Sequence, residues 1–185
     1  AAPGQPAGSA PAGSAQPSGS PSVKPGRSTD TKGSPAAVDR CHTDDVMVTV
    51  QLQPALANSA MVMVTNMSSR ACTIDGYLGY GGRLADNSQL SLSTNRVAYP
   101  GAPVASTLKP HTSAFAGLKW AACDKADPSC HVLAGVTVTP PDETTQTDAH
   151  VLDLNGKPVQ QLLVSAAGFT VGSLQPSNEG VTFTS

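Results

Sequence analysis

From Val46 to Gln53 apolar and polar side chains alternate without a break, with Val46, Val48, Val50 and Leu52 set against Met47, Thr49, Gln51 and Gln53. A period of two is the signature of a strand with one buried face. Ala60, Val62 and Val64 repeat it against Met61, Met63 and Thr65, and the run stops at the turn-former Asn66. Shorter runs follow at Ala71–Ile74, Leu90–Leu92, Val104–Leu108, Ser113–Ala121, Val132–Pro140, Val151–Leu154, Val159–Ser165 and Phe169–Leu174. Turn signals such as Asp75-Gly76, Asp86-Asn87, Lys109-Pro110-His111-Thr112 and Asn155-Gly156 separate them. Tyr77–Leu84 is a glycine-rich stretch, Thr94–Pro103 reads as irregular, and Asp142–Ala149 reads as a polar loop. No helical period persists beyond two turns. Short strands at roughly 8–12-residue spacing predict an all-β sandwich.

The alternation begins only after residue 40. In residues 1–40, Ala, Pro, Gly and Ser supply 28 of the 40 positions, with no aromatic side chain. Such a segment cannot bury enough apolar surface to offset the entropy of ordering it. It is therefore expected as a disordered linker or stalk, with residues 41–185 as the folded domain. A coil of that length spans roughly 35 Å, and its prolines lengthen the reach. The tail carries net +2, which leaves the domain with 7 basic and 11 acidic side chains. The whole chain's net charge of −2 argues against a nucleic-acid or polybasic membrane binder. No apolar run approaches the roughly 18 residues of a membrane helix.

Four cysteines, Cys41, Cys72, Cys123 and Cys130, all lie in the domain. None forms a C-x-x-C, so neither a zinc ribbon nor a thioredoxin-like site is indicated. An even number in such a chain reads as disulfides and an exported protein. Of three connectivities, the expected one is Cys41–Cys72, stapling the first strand to a later one, with Cys123–Cys130 pinning the turn at Asp127-Pro128.

The run Met61-Val-Met-Val-Thr-Asn66-Met-Ser-Ser-Arg-Ala-Cys72-Thr-Ile-Asp-Gly76-Tyr77 resembles the signature of an actinobacterial exported family, the domain-of-unknown-function family numbered 4232. Leu108-Lys-Pro110-His-Thr-Ser-Ala114-Phe-Ala-Gly-Leu-Lys-Trp120 is similar to a second family segment, with His111 where glycine is usual. Cys130 and Leu133–Pro141 resemble the following strand. The resemblance covers nearly all of 41–185. It implies an immunoglobulin-like antiparallel β-sandwich, export, and a low-complexity stalk behind a lipid anchor upstream of Ala1. It supplies no catalytic residues. The family's cysteine near the C-terminal strand has no counterpart after Cys130, which makes a Cys123–Cys130 pair particular to this chain.

No nucleophile elbow, zinc helix or phosphate loop occurs. His42, His111, His131 and His150 are scattered on or beside predicted loops, and Asp44-Asp45 and Asp142-Glu143 read as solvated charges. Catalytic residues, metal ligands and cofactors are therefore not expected, although a secreted hydrolase is a third-ranked reading. Met47, Met61 and Met63, with Met67 nearby, fall on the face opposite the valines. Thioethers there are candidates for a partner surface or for Cu(I), and are otherwise ordinary packing. Tyr77, Tyr80, Arg83 and Tyr99, among glycines and prolines, are a second candidate ligand site. Trp120 reads as core. The expected function is a non-catalytic extracytoplasmic binding or scaffolding module, secreted or held at the cell envelope, for an unknown protein or cell-wall component. The alternative is an exported copper protein using the methionines.

Overall fold

A computed structural model describes residues 38–185, so the stalk expected over 1–40 lies, but for its last three residues, outside the described part. Thirteen strands follow a short 3-10 turn at Thr43–Asp45. They are β1 (Val46–Leu52), β2 (Ser59–Asn66), β3 (Cys72–Ile74), β4 (Gly79–Arg83), β5 (Gln89–Ser91), β6 (Thr94–Arg96) and β7 (Ser106–Leu108). Then come β8 (Ser113–Trp120), β9 (His131–Leu133), β10 (Gly135–Thr139), β11 (Thr147–Leu152), β12 (Leu162–Val164) and β13 (Phe169–Val171).

Nine of them form one sheet in the order β5-β4-β10-β11-β1-β2-β8-β13-β6, and β12-β9 and β3-β7 form two small pairs. The sheet bends at β11. Its Thr147 and Asp148 pair with β10, whereas Ala149 to Leu152 pair with β1. At the other flank the two end strands, β5 and β6, are separated in the chain only by Leu92 and Ser93. One sheet thus becomes two layers joined by strands that change layer at the corners. This is the all-β, immunoglobulin-like sandwich, and its core is made by the alternation read above. Val46, Val48, Val50, Ala60, Val62, Val64, Ala114, Ala116, Leu118 and Phe169 of one layer meet Tyr80, Val136 and Val138 of the other, all buried.

Several local expectations need correcting. The sandwich is not wholly antiparallel, because β1–β11 and β6–β13 run parallel. The glycine-rich stretch contains β4. Glycine disfavours strands, but a Cβ on Gly82 would lie 2.6 Å from Leu133 Cδ2, so only glycine permits this close packing. The polar segment 142–149 ends in β11, whose Asp148 is exposed and pairs with Arg83, while Ala149 and Val151 pack on the core. The run at 132–140 is two strands, β9 and β10, since Ala134 N donates to Arg83 O and the chain changes partner from β12 to β4. Thr94–Arg96, read as irregular, adds an edge strand to β13. The domain boundary moves back from residue 41 to Asp39, whose carbonyl accepts from Thr73 N, while Arg40 bridges to Thr73.

Beyond β13 the chain folds back over the outer face of the sheet. Val181 and Phe183 are buried there although they lie outside the central core. A Cβ on Gly117 would stand 2.1 Å from the carbonyl oxygen of Val181, so this glycine is the seat of the strap. Tyr99 stacks on Phe183 at 4.7 Å, and Lys119 Nζ lies 5.0 Å from the Phe183 ring and donates to Ser185 O.

Candidate functional site

The two disulfides are Cys41–Cys72 and Cys123–Cys130. Cys41 and Cys72 are both buried, and the bridge ties the entry of the domain to β3. Around it the structure builds an ionic clasp. Glu143, only 11% exposed at its side chain, accepts from Arg40 Nε at 3.0 Å and Nη2 at 2.8 Å. It also accepts from Thr43 N at 3.1 Å and lies 3.0 Å from His42 Nδ1. The other ring nitrogen of His42 is 3.1 Å from Asp39 Oδ2. Asp45 accepts from the His42 main-chain N–H at 2.8 Å and pairs with Arg70. The hydrogen bonds from His42, Thr43 and Arg40 hold the Glu143 carboxyl down at about 2, and Glu143 and Asp39 raise His42 above its ordinary value. With His42 protonated, Arg40, Arg70 and His42 balance Asp39, Asp45 and Glu143. The Thr43 hydroxyl is committed to Thr145 O at 2.8 Å. The arrangement therefore acts as a lock between the domain entry and the 141–146 loop. Glu143, read together with Asp142 as solvated charge, is half of that lock, because its partners lie about a hundred residues earlier in the chain, while Asp142 is exposed.

The second candidate site is not assembled. Tyr80 is buried against Phe169 at 5.7 Å, its hydroxyl without a partner among the described residues and its pKa raised by burial. Tyr77 lies under the Arg96 guanidinium at 5.6 Å. Arg83 is paired with Asp148 at 2.7 Å, and Tyr99 is spent on Phe183, with its hydroxyl donating to Thr182 O. The four residues point to four different places. Trp120 is buried, edge-on to Phe169 at 5.9 Å. The register sets Met47, Met63 and Met61 opposite Thr65, Thr49 and Gln51, in a diagonal along one face. Met61 also faces Gly117, beneath the C-terminal strap, and is half-buried like Met63, whereas Met47 and Met67 are exposed. Among the described residues, no group of three or more His, Cys, Asp or Glu side chains is placed to hold a metal ion.

A further feature has no signature in side chains. β7 and β8 are consecutive strands joined by a tight turn in which Thr112 N donates to Lys109 O. They do not pair as a hairpin. β7 pairs with β3 and β8 pairs with β2, so the two arms open into a V. Asn66, fully buried, holds the arms apart. Its side-chain amide donates to Leu108 O at 2.9 Å and Arg70 O at 2.7 Å, and its Oδ1 accepts from Ser68. Its main chain accepts from His111 N and donates to Thr112 O. His111, in the position where glycine was expected, adopts φ of +68°, the left-handed conformation that glycine would favour. Between the arms lies a depression of about 370 Å³ lined by residues 105–109, Thr112, Ser113 and Pro176.

Compared with known proteins, residues 41–174 match the family described as Domain of unknown function (DUF4232). No curated protein and no solved structure matches the chain. The match takes in both disulfides, β7 and β8 and the lock from His42 onward, and leaves out Asp39, Arg40, Pro176 and the C-terminal strap.

Proposed function

The chain belongs to the DUF4232 family, and on that premise we propose that it is a non-catalytic binding or scaffolding module working outside the cytoplasm. It is carried at the cell envelope or released, and its partner is a protein or a cell-wall component. The observation that carries this reading is the V between β7 and β8, an opening lined by residues 105–109, Thr112, Ser113 and Pro176. Two disulfides accord with an oxidising compartment. Among the described residues no helix is long and apolar enough to cross a membrane. A tail rich in Ala, Pro, Gly and Ser has the composition of a spacer.

The test is a photo-crosslinking side chain at Lys109 in the full chain, exposed to isolated envelopes of the producing cells. Light-dependent adducts that unlabelled protein competes away are the expected result. Turnover of an ester, glycoside or peptide substrate, lost on His42→Ala, would overturn the reading. So would the absence of any competed adduct.

A further inference from the structure

Antiparallel strands pair through alternate residues, so the direction of each main-chain group in β7 and β8 follows from bonds already described. Thr73 N donates to Asp39 O and Thr73 O accepts from Cys41 N. Both groups of Thr73 therefore point away from β7. The Thr73–Thr107 pair is then a non-bonded pair of the ladder, and the N–H and C=O of Thr107 point away from β3, toward the depression. The same parity applies to β8. Phe115 exchanges both of its main-chain bonds with Gln175 on the side away from β2, and Gly117 O accepts from Gly172 N on that side. Ser113, two residues earlier, must present its N–H and C=O in the same direction. The pairing strand ends at Gln175, since among the described residues nothing after it bonds through its main chain to Ser113. Among the described residues neither Thr107 nor Ser113 has a main-chain partner on the depression side, and both line it.

Resting on the binding-module reading above, we propose that this V receives an extended strand of a partner polypeptide, bonded through its main chain to Thr107 and Ser113, with an acidic side chain opposite Lys109. Unpaired N–H and C=O groups at a strand edge are a template for another strand, and such addition draws affinity from main-chain bonds and selectivity from side-chain contacts. The chain's own residues 172–175 already occupy the β8 edge in this manner, so the incoming strand continues a ladder that ends at Gln175. Among the described residues Lys109 is the one ionisable side chain lining the depression, which sets the sign of the partner.

The probe is a capped seven-residue peptide of alternating threonine and valine with one central aspartate, added to the ¹⁵N-labelled full chain. Amide exchange at Thr107 and Ser113 should slow at least tenfold, with Thr73 and Phe115 unchanged. The same peptide N-methylated on alternate amides should produce no slowing, and a central lysine should weaken binding several-fold. Lys109→Glu should reverse that preference. Thr107→Pro removes the donor on a strand edge, where proline is tolerated, and should abolish the protection at Ser113. If that variant does not fold, the N-methylated peptide performs the same test on the native chain. Equal binding by the N-methylated peptide, or no slowing at Thr107 and Ser113, overturns strand addition. A Lys109 photo-adduct that persists in that case leaves the binding-module reading standing, and the loss of both removes it.

Discussion

β3 has two neighbours, and they are finished very differently. On one side residues 39–41 are bonded to Thr73 through both main-chain groups, bridged to it by Cys41–Cys72, and backed by the Glu143 lock. On the other side β7 closes the first edge only to present a second, which is left open. The locked side is where the described chain begins, so its first residues are held by bonds that are already cross-linked. The open side is one strand further on. A small pair of strands can carry an open edge because its opposite edge is held covalently.

The comparison can be broken most severely at the bridge. Cys72→Ala should lower the unfolding free energy by about 3.7 kcal/mol, the chain-entropy value for a loop of about 32 residues. In amide exchange it should release Cys41 and Thr73 while leaving Thr107, already open, where it was. Retained protection at Thr73 would show that the lock holds the entry without the disulfide. Next is Asn66→Ala, which removes the amide's bonds to the Leu108 and Arg70 carbonyls and leaves Ser68 N without its acceptor. A cost of about 3 kcal/mol is expected in chemical denaturation, with the depression losing its shape. Preserved stability would mean that something else spreads the arms. Gly117→Ala addresses a third edge condition, a face covered by the chain's own strap. Its Cβ would meet the Val181 carbonyl, and a loss of about 2 kcal/mol with new exposure of Phe183 to solvent is expected by fluorescence or proteolysis.

The smallest effect is expected from Glu143→Gln, and its pH dependence is the informative part. Glu143 is held at about 2 against an ordinary 4.5, so its contribution is present above 4.5 and lost as pH falls through about 2. His42 is raised above 6.5, so its contribution is present below 6.5 and lost as pH rises through the raised value. The difference in Tm between the native chain and Glu143→Gln should therefore be largest from pH 4.5 to 6.5 and shrink in alkali. A difference that is flat with pH would show that His42 takes no part in the lock.

What could be read from residue order depended on whether a side chain carried the information. The alternation in β1 and β2 named its own buried face, and the cysteine spacing led to the observed pairs. β4 and β11 escaped because glycine and polar residues there answer to neighbours such as Leu133 and Arg83, which lie far along the chain. Tyr80 resembled a loop aromatic because its glycine neighbours looked like a loop. The lock depends on contacts across about a hundred residues, and no local pattern announces them. The V is less legible still, since its functional groups belong to the backbone. Asn66 was visible only as a turn former. Its burial and five hydrogen-bonding roles, seen in the fold, explain why a Thr-Asn step stands at the end of β2.

The junction at Leu92–Ser93 has a mechanical consequence. Because the first and last strands of the large sheet are successive stretches of one polypeptide, neither layer has a flank that can peel away while the other stays intact. Phe169 N donates to Ser93 O, which fastens the crossing point to the start of β13. A single cut in the backbone there would free both outer margins at once, so the two layers should come apart in one event rather than in turn.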